Sequence, residues 1–191
     1  MLDLNAMGAR ARTAARQAGL WWGKDAAVDA DMTRRFGMLP DAALAGQLDD
    51  WVATPAGRLA LILVTDQCPR NIFRDTARAF AFDGMARRLC HEGLALGEDH
   101  ALRPIERVFF YLPLEHSEEP ADQALSVRCF ETLAEDVPAG LRPVFADFAD
   151  YARRHRDIVT RWGRFPHRNA ALGRASSPAE AAFLREPGSS F

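Results

Sequence analysis

The chain has 191 residues, of which 48% are hydrophobic and 26% are charged, a balance typical of one globular domain with a buried core. Its formal net charge of −2 indicates no basic surface for nucleic acid, and no stretch approaches the roughly 20 apolar residues of a membrane span, so we expect neither partner. Three widely spaced cysteines (Cys68, Cys90 and Cys129) predict buried free thiols and a cytoplasmic location.

Helical signals begin at Asp25 and continue, after an interruption at Pro40, into a helix that is expected to be buried. That helix has Thr54 as its N-cap and Pro55 at its first position, which is a strong start signal. Its body, LALILV, is apolar on all sides, as in a helix surrounded by the core. Pro69 is expected to end it, because the residue before a proline disfavours helical geometry.

Four longer helices and a short last one are predicted downstream. Their expected starts are Asp83 (as a cap), Pro104, Ser117 or Glu118, a position near Pro138, and Ser177 with Pro178. The helix near Pro138 is the longest, and it should end by Gly163 because Pro166 prevents any extension.

The whole pattern predicts an all-α fold of about seven or eight helices in antiparallel pairs, with no sheet, because no segment alternates apolar and polar residues. A single domain over residues 1–191 is expected. Residues 1–20 form a less certain N-terminal segment, and residues 164–191 are expected to form a loop, a short helix and a tail.

A first polar cluster, DQCPRN, follows the apolar helix. Asp66 and Gln67 lie in its last turn, where the helix dipole disfavours a carboxylate, so Arg70 or Arg74 is predicted to pair with Asp66. Asn71 lies beside them. A structural ion pair and a ligand site at the helix end both explain this cluster.

A second cluster, FFYLPLEHSEE, ends the helix that begins at Pro104. Its apolar stripe extends onto His116, with Glu115 at the edge and Glu118 nearby. Carboxylate and imidazole groups at this spacing could ligate a metal ion. The ligand count is small and no HExxH motif is present, so a hydrogen-bonded histidine is favoured and no metal site is predicted.

A third cluster lies in YARRHRDIVTRWGRFPHRN. His155 falls within the apolar stripe that includes Tyr151, where a histidine is usually a satisfied core residue. His167, Arg168 and Asn169 follow in a tight loop, and loops held by rigid helices often carry binding groups.

The three clusters are predicted to meet in one cavity, because each places polar groups at the end of an apolar stripe. Asp66, His116 and His155 are the candidate acid–base catalysts. The candidate ligand-binding residues are Gln67, Arg70, Asn71, Arg74, Glu115, Glu118, Tyr151, His167, Arg168 and Asn169, with Arg70, Arg74 and Arg168 as the anion clamp.

Five segments together, DQCPRNIFR, FFYLPLEHSE, YARRHRDIV, GRFPHRN and FLREPGSSF, resemble the bacterial family catalogued as domain of unknown function 924. The resemblance runs from about Trp21 to Phe191. It implies an all-α fold related to tetratricopeptide-like helical domains and implies no established activity. Two departures from the family are Cys68, where phenylalanine is usual, and Asp75, where glycine is usual.

Two functions are compatible with these observations. One is a site for a small carboxylate or phosphate ligand, with acid–base catalysis as an extension. The alternative is a helical module that presents an exposed groove to a peptide or protein partner. The direction of the polar side chains, buried or exposed, discriminates between them. The sequence identifies no cofactor.

Overall fold

The structure is a computed structural model, and it describes residues 17, 19, 21 and 23–190. Most of the predicted N-terminal segment, residues 1–20, lies outside the described residues, as does Phe191. Within the described part the chain is helical and contains no strand. The α-helices are α1 (Ala26–Phe36), α2 (Leu39–Leu44), α3 (Pro55–Ile62), α4 (Cys68–Ile72), α5 (Asp83–Ala95), α6 (Pro104–Glu115), α7 (Pro120–Asp136), α8 (Arg142–Trp162) and α9 (Pro178–Phe183).

Helices α3 and α4 are consecutive parts of one helical run, joined by the segment Leu63–Gln67. With this run counted once, the described residues form eight helices, so the all-α prediction of seven or eight is confirmed. None of the described helices combines the length and the apolar character needed to cross a membrane.

Local capping chemistry sets several helix starts as predicted. The Asp25 carboxylate accepts the N–H groups of Ala27 and Val28 at the start of α1. The Thr54 hydroxyl accepts the N–H of Gly57 at 3.1 Å, one turn into α3. At α9, the Ser177 side chain and Glu180 cap each other reciprocally in a capping box.

The segment Leu63–Gln67 forms a single π-helical turn, in which the N–H of Cys68 donates to the carbonyl of Leu63, five residues earlier. The helix therefore continues beyond Pro69, and the prediction that this proline ends it is wrong. The wider π turn places Pro69 in the first turn of α4, where a missing N–H costs no helical bond.

Two other predicted helix starts need correction. Asp83 is the first residue of α5 rather than its cap, and its carboxylate binds arginine side chains instead. Helix α7 begins at Pro120, not at Ser117 or Glu118, because the Glu118 carboxylate accepts the N–H of Phe165 at 2.8 Å and so ties the preceding loop to the tail.

The core is centred on α6, whose side chains Phe110, Tyr111 and Leu114 are at most 1% exposed. Helices α3, α5, α7 and α8 all pack against α6. A second apolar cluster joins the end of α8 to the C-terminal tail through Val159, Phe165 and Phe183. This packing returns the tail towards the buried end of α6.

Candidate functional site

Asp66 lies in the π turn with a fully buried side chain and is the centre of the candidate site. His116, the C-cap of α6, places Nδ1 at 2.8 and 3.0 Å from the two Asp66 oxygens. Arg70 Nη1 lies 3.2 Å from Oδ1, and Gln67 Nε2 donates to Oδ2 at 2.6 Å. Burial opposes ionisation, but the charges of Arg70 and His116 hold the pKa of Asp66 below its ordinary value. The predicted pairing of Asp66 with Arg70 is confirmed.

A second carboxylate, that of Asp83, links two guanidinium groups. Arg70 donates to both Asp83 oxygens, at 3.0 and 3.1 Å, whereas Arg168 Nη1 lies 3.5 Å from Oδ2. Arg168 is 6% exposed, and its Nε has no hydrogen-bond partner among the described residues. Its guanidinium lies over the rings of Phe165 and Phe80, at 4.5 and 4.9 Å. Burial and the charge of Arg70 lower the pKa of Arg168 to about 10.

Glu115 and His155 complete the buried centre. His155 Nδ1 lies 3.3 Å from Glu115 Oε1 and 2.9 Å from the carbonyl oxygen of Tyr151, and its ring centroid is 6.2 Å from that of His116. Burial, followed by the negative charge of Asp66, raises the pKa of Glu115 to about 8. Burial, followed by the charge of His116, lowers the pKa of His155 to about 3. Burial therefore favours the uncharged form of both groups.

These distances show that side chains of the three predicted clusters meet, while the predicted cavity between them stays a prediction. Asp66 from the π turn, His116 from the end of α6 and His155 from α8 lie within one group of contacts. His167 lies at its edge, 5.6 Å from the Phe165 ring, where burial and Arg168 lower its pKa to about 4. The side chains that form the buried cluster are Asp66, Gln67, Arg70, Asp83, Glu115, His116, His155 and Arg168.

Other predicted site residues make contacts outside the cluster. Arg74 pairs with Asp29 of α1 at 2.7 and 2.8 Å, and Asn71 donates to the same carboxylate at 2.9 Å. Both residues attach α1 to α4. Arg70, the expected partner of Arg74 in an anion clamp, contacts Asp66 and Asp83 instead. Tyr151 is 49% exposed, and its backbone carbonyl contacts the cluster at His155.

Two further residues support the tail. The Glu118 carboxylate, considered as a metal ligand from the sequence, is bound by Arg174 at 2.7 and 2.9 Å. Asn169 is 1% exposed and donates to Ser176 Oγ at 3.0 Å. These contacts position the loop that carries Arg168.

Asp83 belongs to the cluster, although the sequence patterns did not indicate it. An acidic residue at the start of a helix is the usual sign of a cap, and no local pattern distinguishes a cap from a partner of a distant arginine. The signal in the sequence is that no acidic residue lies between Asp157 and Glu180, so a carboxylate partner for Arg168 has to come from another part of the chain.

Comparison with known proteins gives a family and a solved relative. The model of the family described as "Bacterial protein of unknown function (DUF924)" matches residues 8–188. The solved structure of a protein of unknown function, ATU0120 from Agrobacterium tumefaciens, is 38% identical, covers 93% of this chain and 97% of its own, and superimposes with a TM-score of 0.77. No curated protein matches significantly.

Proposed function

The chain belongs to the bacterial family of unknown function DUF924, and we propose that it binds a small carboxylate or phosphate ligand at the buried polar cluster. The observation that carries the proposal is the state of Arg168. Its guanidinium is 6% exposed, yet its Nε–H has no hydrogen-bond partner among the described residues. A buried donor without a partner costs about 1–3 kcal/mol, and more when it is charged, so an acceptor brought by a ligand would recover that cost.

The charge distribution supports an anion at Arg168 rather than at Arg70. Arg70 already contacts Asp66 and shares two hydrogen bonds with Asp83. Arg168 reaches Asp83 at the longer distance of 3.5 Å, and its pKa is lowered to about 10 by burial and by Arg70. An anion next to Arg168 would favour its charged form. A planar guanidinium also matches the paired oxygens of carboxylate and phosphate groups.

Of the three predicted catalysts, His116 is the one that would transfer protons to or from a ligand at this site. Asp66 is fully buried and its oxygens are occupied by His116, Gln67 and Arg70, so it would act by orienting the imidazole. This is the arrangement in which a carboxylate fixes the tautomer and the direction of a histidine base. Catalysis is therefore an extension of the binding proposal, with His116 as the group that reaches a ligand.

The alternative, an interaction module of tetratricopeptide-like type, requires its polar residues on an exposed concave face. Four of the eight side chains of the cluster are buried instead, with Asp66 at 0% and His155 at 4% exposure, and the other four are only partly exposed. Their burial favours a small ligand over a peptide. The tetratricopeptide-like fold relation remains part of the proposal only as an analogy.

A cytoplasmic location is also part of the proposal. Cys68 and Cys90 are buried free thiols, and Cys129 is half-buried and free. Burial, followed by the charge of Asp66, raises the pKa of Cys68 to about 11, which keeps this thiol protonated and unreactive. Inert free thiols are typical of proteins in a reducing compartment.

Thermal unfolding with phosphate, sulfate or a small dicarboxylate tests the anion site. Ligand binding should stabilise the folded wild type by RT ln(1 + [L]/Kd), about 2.7 kcal/mol at a hundredfold excess over Kd. The rise in Tm should be lost in Arg168→Gln and kept in Arg128→Gln, which removes an exposed arginine on α7. Salting-out raises the Tm of all three proteins alike. An equal shift in all three would overturn the proposal.

A further inference from the structure

We propose that Glu115, His116 and His155 bind a divalent transition metal ion of the zinc class. One ligand atom from each of these residues lies within 4.8 Å of the other two, and Glu115 and His155 are buried. The sequence suggested Glu118 as the third ligand beside Glu115 and His116. In the structure the third ligand is His155 of α8. The proposal goes beyond the anion site, since the chain itself supplies all three ligands, and in the metal-bound protein His116 would serve as a ligand instead of as a base.

The hydrogen bonds of the two histidines support metal ligation. An ionised carboxylate and a backbone carbonyl can only accept hydrogen bonds. His116 Nδ1, at 2.8 Å from Asp66, and His155 Nδ1, at 2.9 Å from the carbonyl of Tyr151, must therefore carry the protons. The lone pair of each ring is then on Nε2. Metal-binding histidines are held in this way, with the second ring nitrogen donating to a carboxylate or a carbonyl.

Glu115 supplies the negative charge that the ion needs. Its carboxyl group is 5% exposed and lies 3.3 Å from His155 Nδ1, so a bound cation would compensate the charge of its ionised form where water does not. Arg70 and Arg168 oppose a positive ion in this region. Asp66 and Asp83 pair with these guanidiniums and offset that repulsion.

Two imidazoles and one carboxylate suit zinc and its neighbours in the transition series. Bonds of about 2.0–2.1 Å in a tetrahedral zinc site place the ligand atoms roughly 3.3–3.4 Å apart, closer than the 4.8 Å within which each of these residues offers a ligand atom. Glu115 Oε1 lies beside His155 Nδ1, so binding through His155 Nε2 also requires one of these two side chains to turn. Side-chain rotation can supply this movement. Three protein ligands leave a fourth position open, as in catalytic zinc sites, and an anion held by Arg168 could occupy it.

The test is a calorimetric titration of the full chain with Zn²⁺ alone, after treatment with EDTA and its removal. We expect one equivalent of Zn²⁺ to bind to the wild type. Glu115→Gln and His155→Gln should weaken the affinity by at least about tenfold, and Asp66→Asn, which alters the orientation of His116, by about 10–100-fold. His100→Gln removes an exposed histidine outside the cluster and should bind as the wild type does.

Circular dichroism and Tm of the metal-free proteins show whether each variant is folded. Glu115→Gln is close in shape to the neutral acid, so it keeps the test valid if His155→Gln does not fold. Absence of a single saturable Zn²⁺ site in the wild type, or equal affinity in the folded Glu115→Gln variant, would overturn the metal proposal. The phosphate-dependent rise in Tm, measured in EDTA, separates this result from the anion proposal.

Discussion

At the residue scale, Glu180 shows how strongly local contacts can hold one charge. Its carboxylate accepts two bonds from Arg164, at 2.7 and 2.9 Å, and the N–H of Ser177 at 2.7 Å. These bonds, led by those of Arg164, lower the pKa of Glu180 to about 2. Because the folded value is below the ordinary 4.5, the bonds stabilise the protein above pH 4.5, and this stability is lost as the pH falls towards 2.

Glu180→Gln should therefore lower the Tm at pH 7, and the difference from the wild type should shrink as the pH falls from about 4.5 to about 2. Thermal unfolding of both proteins over this pH range measures the effect. Glu186→Gln, at an exposed position of the tail, serves as the matched control and should change the Tm little at any pH. A Tm difference that is independent of pH would assign the effect to shape rather than to charge.

Asp75 has a backbone φ of +61°, which makes it the one described residue other than glycine in the left-handed region. This is the position where the resemblance noted in the sequence has glycine. Left-handed geometry costs an L-residue about 1–2 kcal/mol, less for Asp, whose side chain can bond locally.

Asp75→Gly should raise the free energy of unfolding by up to about 1 kcal/mol, because relief of strain exceeds the entropy added to the unfolded chain. Asp75→Ala, which removes the carboxylate without freeing the backbone, should lower the free energy of unfolding. Urea denaturation of the three proteins gives the comparison. Equal effects of glycine and alanine would mean that the carboxylate, not the backbone, decides stability here.

At the element scale, the C-terminal end of α6 is held by a side chain of α7. Gln123 is 1% exposed, and its Nε2 donates to the carbonyl oxygens of Glu115 and Ser117, both at 2.6 Å. These carbonyls lack partners within the helix, because the last turn of any helix has no following N–H groups. Gln123 thus fixes the helix end from which Glu115 and His116 project.

Gln123→Ala should lower the free energy of unfolding by about 1–3 kcal/mol, since it leaves buried carbonyls without a donor. It should also weaken the binding of phosphate and Zn²⁺, because the ligands on α6 lose their support. Urea denaturation and the two binding assays measure these effects. Gln47→Ala, at an exposed site, is the control. Lower stability with unchanged binding would limit Gln123 to a purely structural role.

The π turn is the second element that decides the site. An uninterrupted α-helix from Thr54 would change the direction of every side chain after Leu63. The extra residue in the turn sets Asp66 towards His116 and Arg70, and it lets Pro69 follow without breaking the helix. Such turns occur frequently at functional sites, which agrees with the proposal for this cluster.

At the scale of the whole molecule, the C-terminal tail completes the site. Phe165 and Phe183 pack against the end of α8, and Arg174 and the N–H of Phe165 both bind Glu118 ahead of α7. This double attachment brings Arg168 over Phe80 and next to Asp83. Asp83 and Arg168, which are 85 positions apart in the sequence, thereby become neighbours in one cluster of charged side chains.

Sequence patterns alone predict the all-α class, the helix starts at Asp25, Thr54 and Ser177, and most members of the buried polar cluster. Capping depends on residues two or three positions apart, so it can be recognised without any tertiary contact. Polar residues at the ends of apolar stripes likewise indicate burial, and Asp66 and His116 were found in this way.

The partners in the ion pairs, in contrast, follow from tertiary packing. Arg70 and Arg74 are equivalent near Asp66 in the sequence, yet Arg70 binds Asp66 and Asp83, whereas Arg74 binds Asp29 on α1. The π turn and the use of Asp83 were not predicted for the same reason. Ion pairs between distant residues depend on how helices pack and on which charges lose water together, and neither is encoded in any short stretch of sequence.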